Sequence, residues 1–287
     1  MKTGLVIINY NDYENTINLT EEVSKYTSID EIVIVDNNSS NYDIEKLKKI
    51  KNNKVNVIGL TSNLGYSSGM NEGCKYLVQK YGSCNIILSN SDISIPSNNV
   101  IKSLVKNMKN PKIAAIMPKV LEHGVFKYGW KLTSPKEDLL LNIPVFSKLY
   151  KTKCIQYNES HFNDPLPVVD CLYGCFFMIK SDILKEINYF DTNVFLYYEE
   201  NILARKLKDK KLLSVVDTSV FVEHKHNATI GTNVSRLNKY KIYKASQFYY
   251  EKNYNNANKL TMSILKFFYN ISLFIKETSI KLKEKSK

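Results

Sequence analysis

The sequence predicts an α/β fold, a Rossmann-like and mostly parallel sheet flanked by helices, with a C-terminal helical extension. Three observations predict it. Short uninterrupted runs rich in Val and Ile recur between residues 4 and 92, and such runs read as strands buried on both faces of a parallel sheet. Amphipathic stretches separate them, which is the βαβ rhythm of a nucleotide-binding half. Each early run also ends in polar residues, and the carboxyl edge of an open α/β sheet is where ligands bind.

In chain order, "GLVIINY" (4–10) is the first strand and ends in Asn9, Tyr10 and Asn11. The second, "EIVIVDN" (31–37), runs into Asp36, Asn37, Asn38, Ser39 and Ser40. "VNVIGL" (55–60) is a third strand, and "NIILSNSD" (85–92) a fourth that ends in Asn90, Ser91 and Asp92. "ENTINLTEEVSKY" and "GMNEGCKYLVQKYG" read as helices between them. Within "NLGYSSGMNEG" (63–73), Gly65, Gly69 and Gly73 stand at a helix entry, where backbone can approach a ligand closely. Residues 111–167 are less regular: "AAIMPKVL" is a strand, and Pro135, Pro144, Pro165 and Pro167 mark loops. "VVDCLYGCFFMIKSDILKEI" (168–187) is a strand followed by a short helix beginning after Ser181 and Asp182. "FLYYEENILARKLKDK" (195–210) opens with aromatics and becomes a helix, "LSVVDTSVFVEHKH" (213–226) is a strand ending in two histidines, and the chain after 236 is helical. There is no internal repeat and no low-complexity linker.

Composition sets the outer bounds. The 287 residues, 44% hydrophobic and 24% charged, are those of a globular chain with room for a real core. The opening apolar run is too short for a membrane span and lacks a small-residue cleavage site. Five cysteines without CxxC spacing fit reduced thiols in the cytosol better than a disulfide framework. The net charge of +12 is uneven, with twelve Lys or Arg against three Glu after residue 235. A basic tail points to a polyanion, and with no nucleic-acid module beside it the expected partner is an anionic membrane surface.

The ordered set "VIINYND", "IVIVDNNSS", "NLGYSSGMNEG", "LSNSD", "GCFFMIKSDILKEINYFD", "FLYYEENILARKL" and "VEHKH" resembles bacterial family 2 glycosyltransferases, in particular the rhamnosyltransferase-like branch. The resemblance covers residues 4–230 and implies a GT-A fold. It further implies inverting, metal-dependent transfer of a sugar from a UDP- or dTDP-sugar to a hydroxyl of a growing capsule, cell-wall or O-antigen glycan, on a lipid-linked or polysaccharide acceptor. Nucleotide and donor contacts fall on Asn9, Tyr10, Asn11, Asp36, Asn38, Asn63, Gly65, Gly69, Asn71, Asn90 and Asp92. Asp92 matches the last carboxylate of the family's DxD-like motif, with Asn90 in the first position. A single carboxylate holds Mn²⁺ or Mg²⁺ weakly, so the cation arrives with the donor diphosphate, and His224 or His226 supplies an imidazole that suits Mn²⁺ better. Glu200 takes the acceptor proton and Glu199 orients or binds the acceptor, while Asp170 and Gly174 form the floor between donor and acceptor. Two positions depart from the pattern: Glu200 stands where the family has Asp, and Ile202 where it often has another.

The expected organisation is a catalytic region over 1–235, with a nucleotide-binding half at 1–95 and an acceptor half at 96–235, and a basic helical tail over 236–287. "NYNDYENT" speaks against a sugar nucleotidyltransferase, because it lacks the glycine and basic residue that cradle a triphosphate. The alternative is a non-catalytic family member that binds sugar nucleotide or membrane. In the tail, Leu260, Ile264, Phe267, Phe268, Ile271, Phe274 and Ile275 follow helical spacing. That stripe fits either packing, on the domain or in a homo-oligomer, or an in-plane helix on the inner face of the plasma membrane.

Overall fold

The computed structural model describes residues 1–40, 43–225 and 235–285. His226 lies outside them. A ten-stranded mixed sheet runs through the described residues, eight of its strands lying side by side in the order Val55–Gly59, Glu31–Asp36, Lys2–Asn9, Cys84–Asn90, Phe176–Lys180, Ile113–Glu122, Leu213–His224 and Ile93–Ser94.

The amino-terminal part follows the sequence pattern closely. β1 (Lys2–Asn9) is buried from Thr3 to Asn9, β2 (Glu31–Asp36) throughout, and both pair in parallel. β4 (Cys84–Asn90) flanks β1 on its other side, again parallel. The register sets Asn9 beside Asp36 and Ile8 beside Asn90, so the polar ends share one edge of the sheet. β3 (Val55–Gly59) is half-exposed rather than buried on both faces, because it is the edge strand. α1 (Tyr13–Val23), α2 (Asp43–Leu47) and α3 (Tyr66–Tyr81) make the crossovers. In α3, a Cβ on Gly69 would meet Ile8 Cδ1 at 2.7 Å, and one on Gly73 would collide with Val6. Those two glycines let the helix lie close on β1.

The second half departs from a purely parallel reading. After β5 (Ile93–Ser94) and α4 (Asn98–Asn107), β6 (Ile113–Glu122) turns back through β7 (Val125–Lys127). Residues 168–187 form two strands, β8 (Val168–Val169) and β9 (Phe176–Lys180), with a loop between them, and α7 (Ser181–Glu186) begins at Ser181 itself. β9 inserts antiparallel between β4 and β6. Pro135 and Pro144 are not loop residues: they occupy the first turns of α5 (Pro135–Leu141) and α6 (Pro144–Ile155), where the missing N–H has no helical partner to lose. Ser134 and Glu137 close a capping box over α5.

α8 (Glu199–Asp209) leads into the long β10 (Leu213–His224), which pairs with β6 in parallel and with β5 antiparallel. The basic tail is two different elements. α9 (Arg236–Asn253) belongs to the body, because Tyr250 is fully buried with Val194, Tyr198 and Ile202 in a second small core. Arg205 Nη2 ties its end down by donating to Asn255 Oδ1 at 2.7 Å. α10 (Lys259–Lys285) packs by one face: Leu265 is buried, and Tyr269 lies against Tyr240 and Phe248.

Candidate active site

Polar side chains collect at the carboxyl edge of β1 and β2 because two hydrogen-bonded turns follow them. Asn9 Nδ2 donates to Asp36 Oδ1 at 2.7 Å, and Thr16 Oγ1 donates to Asn9 Oδ1 at 2.8 Å. Ser39 closes the turn onto Asp36 through its N–H at 3.1 Å and its hydroxyl at 2.6 Å. Asn11 and Asn38 adopt left-handed φ of 55° and 58°, which Asn tolerates better than most residues. Asn9 and Asp36 are therefore buried inside this shelf, while Tyr10 and Asn11 are half-buried and Asn38 is exposed at its rim.

The glycine-rich segment works differently from residue to residue. Gly65 has φ 94°, and any Cβ there would strike the Phe195 backbone. Asn63 Oδ1 accepts from Gly65 N–H and from Asn37 Nδ2, both at 3.0 Å. Asn71 is turned away, clamping the Phe190 backbone through a donated bond of 2.9 Å and an accepted bond of 3.0 Å. Gly69 faces β1, and Asp170 pairs with Lys208 at 3.0 Å while accepting from Leu132 N–H. Of the residues expected at the donor and acceptor, Asn9, Tyr10, Asn11, Asp36, Asn38, Asn63, Gly65, Gly69, Asn71 and Asp170 do not line the cavity described next.

A cavity of about 670 Å³ opens at the carboxyl edge, and Asn90, Asp92, Gly174, Glu199, Glu200 and His224 all line it. The β5–β10 pairing sets His224 opposite Ile93, next to Asp92, and Lys225 N–H donates to Asp92 O at 3.0 Å. His224 Nε2 then stands 3.2 Å from Asp92 Oδ1. On the other side of the ring, Nδ1 lies 3.2 Å from Glu122 Oε1, and Tyr173 donates its hydroxyl proton to Glu122 Oε2 at 3.0 Å. Burial would lower the His224 pKa, but its hydrogen bond and charge interaction with Asp92, then those with Glu122, outweigh burial and raise it. Sequence reasoning missed Glu122, and also Asp12, which accepts the Ser91 hydroxyl at 2.6 Å beside Asp92. Burial raises the Asp12 pKa.

The Asp92–His224 pair fits a small divalent cation. Adjacent ligands on an octahedral ion with bonds of about 2.1 Å sit roughly 3 Å apart, and the 3.2 Å between these two atoms, here spanned by their ion pair, is close to one such edge. Among the described residues no group of three or more His, Cys, Asp or Glu forms a metal cage. A cation held here needs further oxygens from elsewhere, as phosphate and water commonly provide.

Across the cavity, Glu199 and Glu200 open α8 after Tyr197 and Tyr198, two consecutive left-handed residues at φ 71° and 70°. That strain is held because Tyr198 is locked in the small core. A Cβ at Gly174 would push the Glu200 carboxylate out of its place. Tyr66 donates to Gly174 O at 2.9 Å and fixes the loop. Burial pushes Glu199 up to about 8, helped by the Glu200 charge, and Glu199 Oε1 has no hydrogen-bond partner among the described residues. Burial also raises Glu200, but the backbone amides of Glu200 and Gly174 oppose it. The amides of Glu199 and Tyr197 oppose burial at Glu199 in the same way, so the site holds two neighbouring carboxyls that both bind their protons more tightly than an exposed glutamate.

The glycosyl transferase family 2 model matches residues 5–188. The chain belongs to that family. A curated relative, the low-salt glycan biosynthesis hexosyltransferase Agl10 of Haloferax volcanii, is 26% identical over 197 residues, covering 69% of this chain and 58% of the relative. This family 2 chain thus spans less than two thirds of that relative's length. Its fold is similar to GalNAc-T7 solved with UDP, GalNAc and Mn²⁺ (TM-score 0.64, 12% identity, 94% of this chain and 54% of that one). It is also similar to the Pyrobaculum calidifontis mannosyltransferase PcManGT with GDP-Man and Mn²⁺ (0.57, 11%, 98% and 80%) and to S. aureus TarS 1-349 with UDP-GlcNAc (0.58, 16%, 94% and 72%). These likenesses establish the GT-A fold. Glu199, Glu200 and His224 lie beyond the matched family segment and reach the site through α8 and β10.

Proposed function

We propose that the chain moves a sugar, with inversion, from a nucleoside-diphosphate sugar to a hydroxyl of a growing cell-surface glycan of capsule, cell-wall or O-antigen type. One observation carries this reading. A single cavity joins the Asp92–His224 pair to the buried Glu200 carboxyl, which accepts from the backbone amides of Glu200 and Gly174. Asp92 and His224 would hold a Mn²⁺ or Mg²⁺ ion, which when bound supplies Lewis-acid stabilisation of the departing diphosphate. The acceptor oxygen attacks the anomeric carbon, and the bond from that carbon to the diphosphate oxygen breaks with its electrons leaving on the nucleotide. Glu200 accepts the acceptor's proton, and Gly174 N–H fixes the carboxylate that receives it. Protonated Glu199 keeps a second charge out of the site and can donate to an acceptor hydroxyl. UDP- and dTDP-sugars both suit this chemistry, and the relatives solved with UDP, UDP-GlcNAc and GDP-Man support a nucleotide-sugar donor.

A screen of UDP-, dTDP- and GDP-sugars for nucleoside-diphosphate release, with and without Mn²⁺, tests the reading. Glu200→Gln should keep donor affinity and lose roughly 10²–10⁴ in transfer, the usual contribution of a positioned base. Asp92→Ala should weaken donor binding only when metal is present. Normal Mn²⁺-supported binding and turnover in Asp92→Ala would overturn the assignment, and nucleotide-sugar binding without any turnover would leave a non-catalytic binder.

We also propose that the protein works at the inner face of the plasma membrane. α10 turns Leu265 and Tyr269 inward and pairs Lys241 with Glu277 at 3.1 Å, while Leu260, Phe267, Ile271, Phe274 and Ile275 are exposed. Ile264 and Phe268 are partly covered, so the stripe is narrower than its spacing alone predicts. No helix among the described residues is long and apolar enough to cross a membrane. An exposed apolar stripe on a segment carrying a large positive charge fits an anionic lipid surface.

A further inference from the structure

A second cavity, of about 500 Å³, adjoins the first. Trp130, Tyr197 and Glu200 line both, whereas Asn90, Asp92 and His224 line only the first. We infer that this second cavity is the acceptor subsite and that it binds an uncharged hexopyranose of the acceptor against its aromatic wall. The inference rests on the transfer reaction proposed above.

Position is the first reason. An inverting displacement needs its nucleophile on the side of the anomeric carbon away from the diphosphate, yet within reach of the base. The second cavity reaches the Glu200 carboxylate and none of the residues that would hold the cation.

Chemistry is the second. Tyr197, Tyr198, Tyr240 and Tyr243 contribute ring surface, and the apolar C–H face of a pyranose lies flat on such rings. Asn142, Asn201 and Gln247 supply amides for hydroxyl groups around that face. Lys131 and Lys244 enter the same lining as Asp138 and Glu200, two of each sign, so no net charge favours an anion. Lys244 is already engaged, donating to Gln247 Oε1 at 2.7 Å and to Asn142.

Backbone strain is the third. Tyr197 and Tyr198 are consecutive and both left-handed, a conformation that bulky residues rarely adopt and that tertiary packing must impose. It turns Tyr197 into the wall common to the two cavities. Tyr240, Tyr243, Lys244 and Gln247 all come from α9, beyond the segment that matches the family. Acceptor choice is thereby carried by a helix separate from the nucleotide-binding half.

The test is saturation-transfer NMR on the full chain with methyl glucoside, galactoside, mannoside and rhamnoside, and methyl glucuronoside as the charged control. Mn²⁺ and saturating UDP, dTDP or GDP, whichever the wild type binds, keep the nucleotide site filled. At least one neutral glycoside should bind, more tightly than the glucuronoside. Tyr243→Ala should weaken it at least tenfold and Tyr243→Phe should restore it, with nucleotide affinity within twofold of wild type in both as the check on folding. The inference falls if no neutral glycoside binds, if the glucuronoside binds better, or if Tyr243→Ala leaves glycoside binding unchanged. Failure of the wild type to bind any nucleotide would instead sink the transferase reading, and Tyr243 dependence would still decide the carbohydrate site.

Discussion

Glu122 holds a histidine by the nitrogen that faces away from Asp92. Without a cation, Nε2–H can donate to Asp92; were a cation to take the place of that proton, Nδ1–H donated to Glu122 would fix the tautomer, as carboxylates do for metal-binding histidines. Tyr173 in turn pins the other oxygen of Glu122. Glu122→Gln should therefore lower Mn²⁺ affinity by roughly 10–100-fold, the usual effect of losing such a partner. Electron paramagnetic resonance of free Mn²⁺, titrated in the presence of UDP, reads this without turnover, and an unchanged titration would show that the ring is oriented by other groups. Nothing in "KVLEHG" marks Glu122, because its role depends on β6 and β10 lying side by side. Asp92 and His224 stood out in the sequence because each closes an apolar run in polar residues. Asn71 and Gly69 sit in a motif that reads as ligand-binding, yet one clamps the Phe190 backbone and the other admits Ile8.

Among the elements, the parallel strands and their crossovers were legible because burial on both faces leaves a continuous apolar run. The antiparallel insertion of β9 was not, since pairing order is a long-range property that no local pattern carries. The signal at Ser134 was present and underused: Ser-Pro-Lys-Glu combines a capping box with proline at the first helical position. For the tail, spacing gave the helix and the structure gave its two faces. Deleting α10, with a chain ending at Asn258, should abolish sedimentation with phosphatidylglycerol vesicles at low salt while nucleoside-diphosphate release persists. If full-length protein ignores the vesicles and the deletion changes its oligomeric state, the stripe is a contact between copies of the chain.

For the whole molecule, the buried acids invert the usual response to pH. Burial raises Glu199 to about 8 and Glu251 to about 9, each from an ordinary value of 4.5. Both carboxyls hold their protons more tightly in the folded than in the unfolded chain. Their contribution to stability is complete below about pH 4.5 and is lost as pH rises towards 8 or 9. His224, also raised, acts in the same direction. The lowered Lys244, near 8, opposes them only above that value. Chemical denaturation between pH 5 and 8 should show stability falling as pH rises, with a shallower slope in Glu199→Gln. A slope unchanged by that substitution would place Glu199 in contact with solvent.

The junction of the two cavities carries a practical consequence. Trp130 is the only tryptophan in the chain, and it lines both chambers with its ring edge-on to Tyr173. Intrinsic indole emission therefore comes from one spot beside the reacting carboxylates. Filling either chamber should change the solvation of that ring, so the emission of an unlabelled sample is expected to respond to a ligand entering from either side.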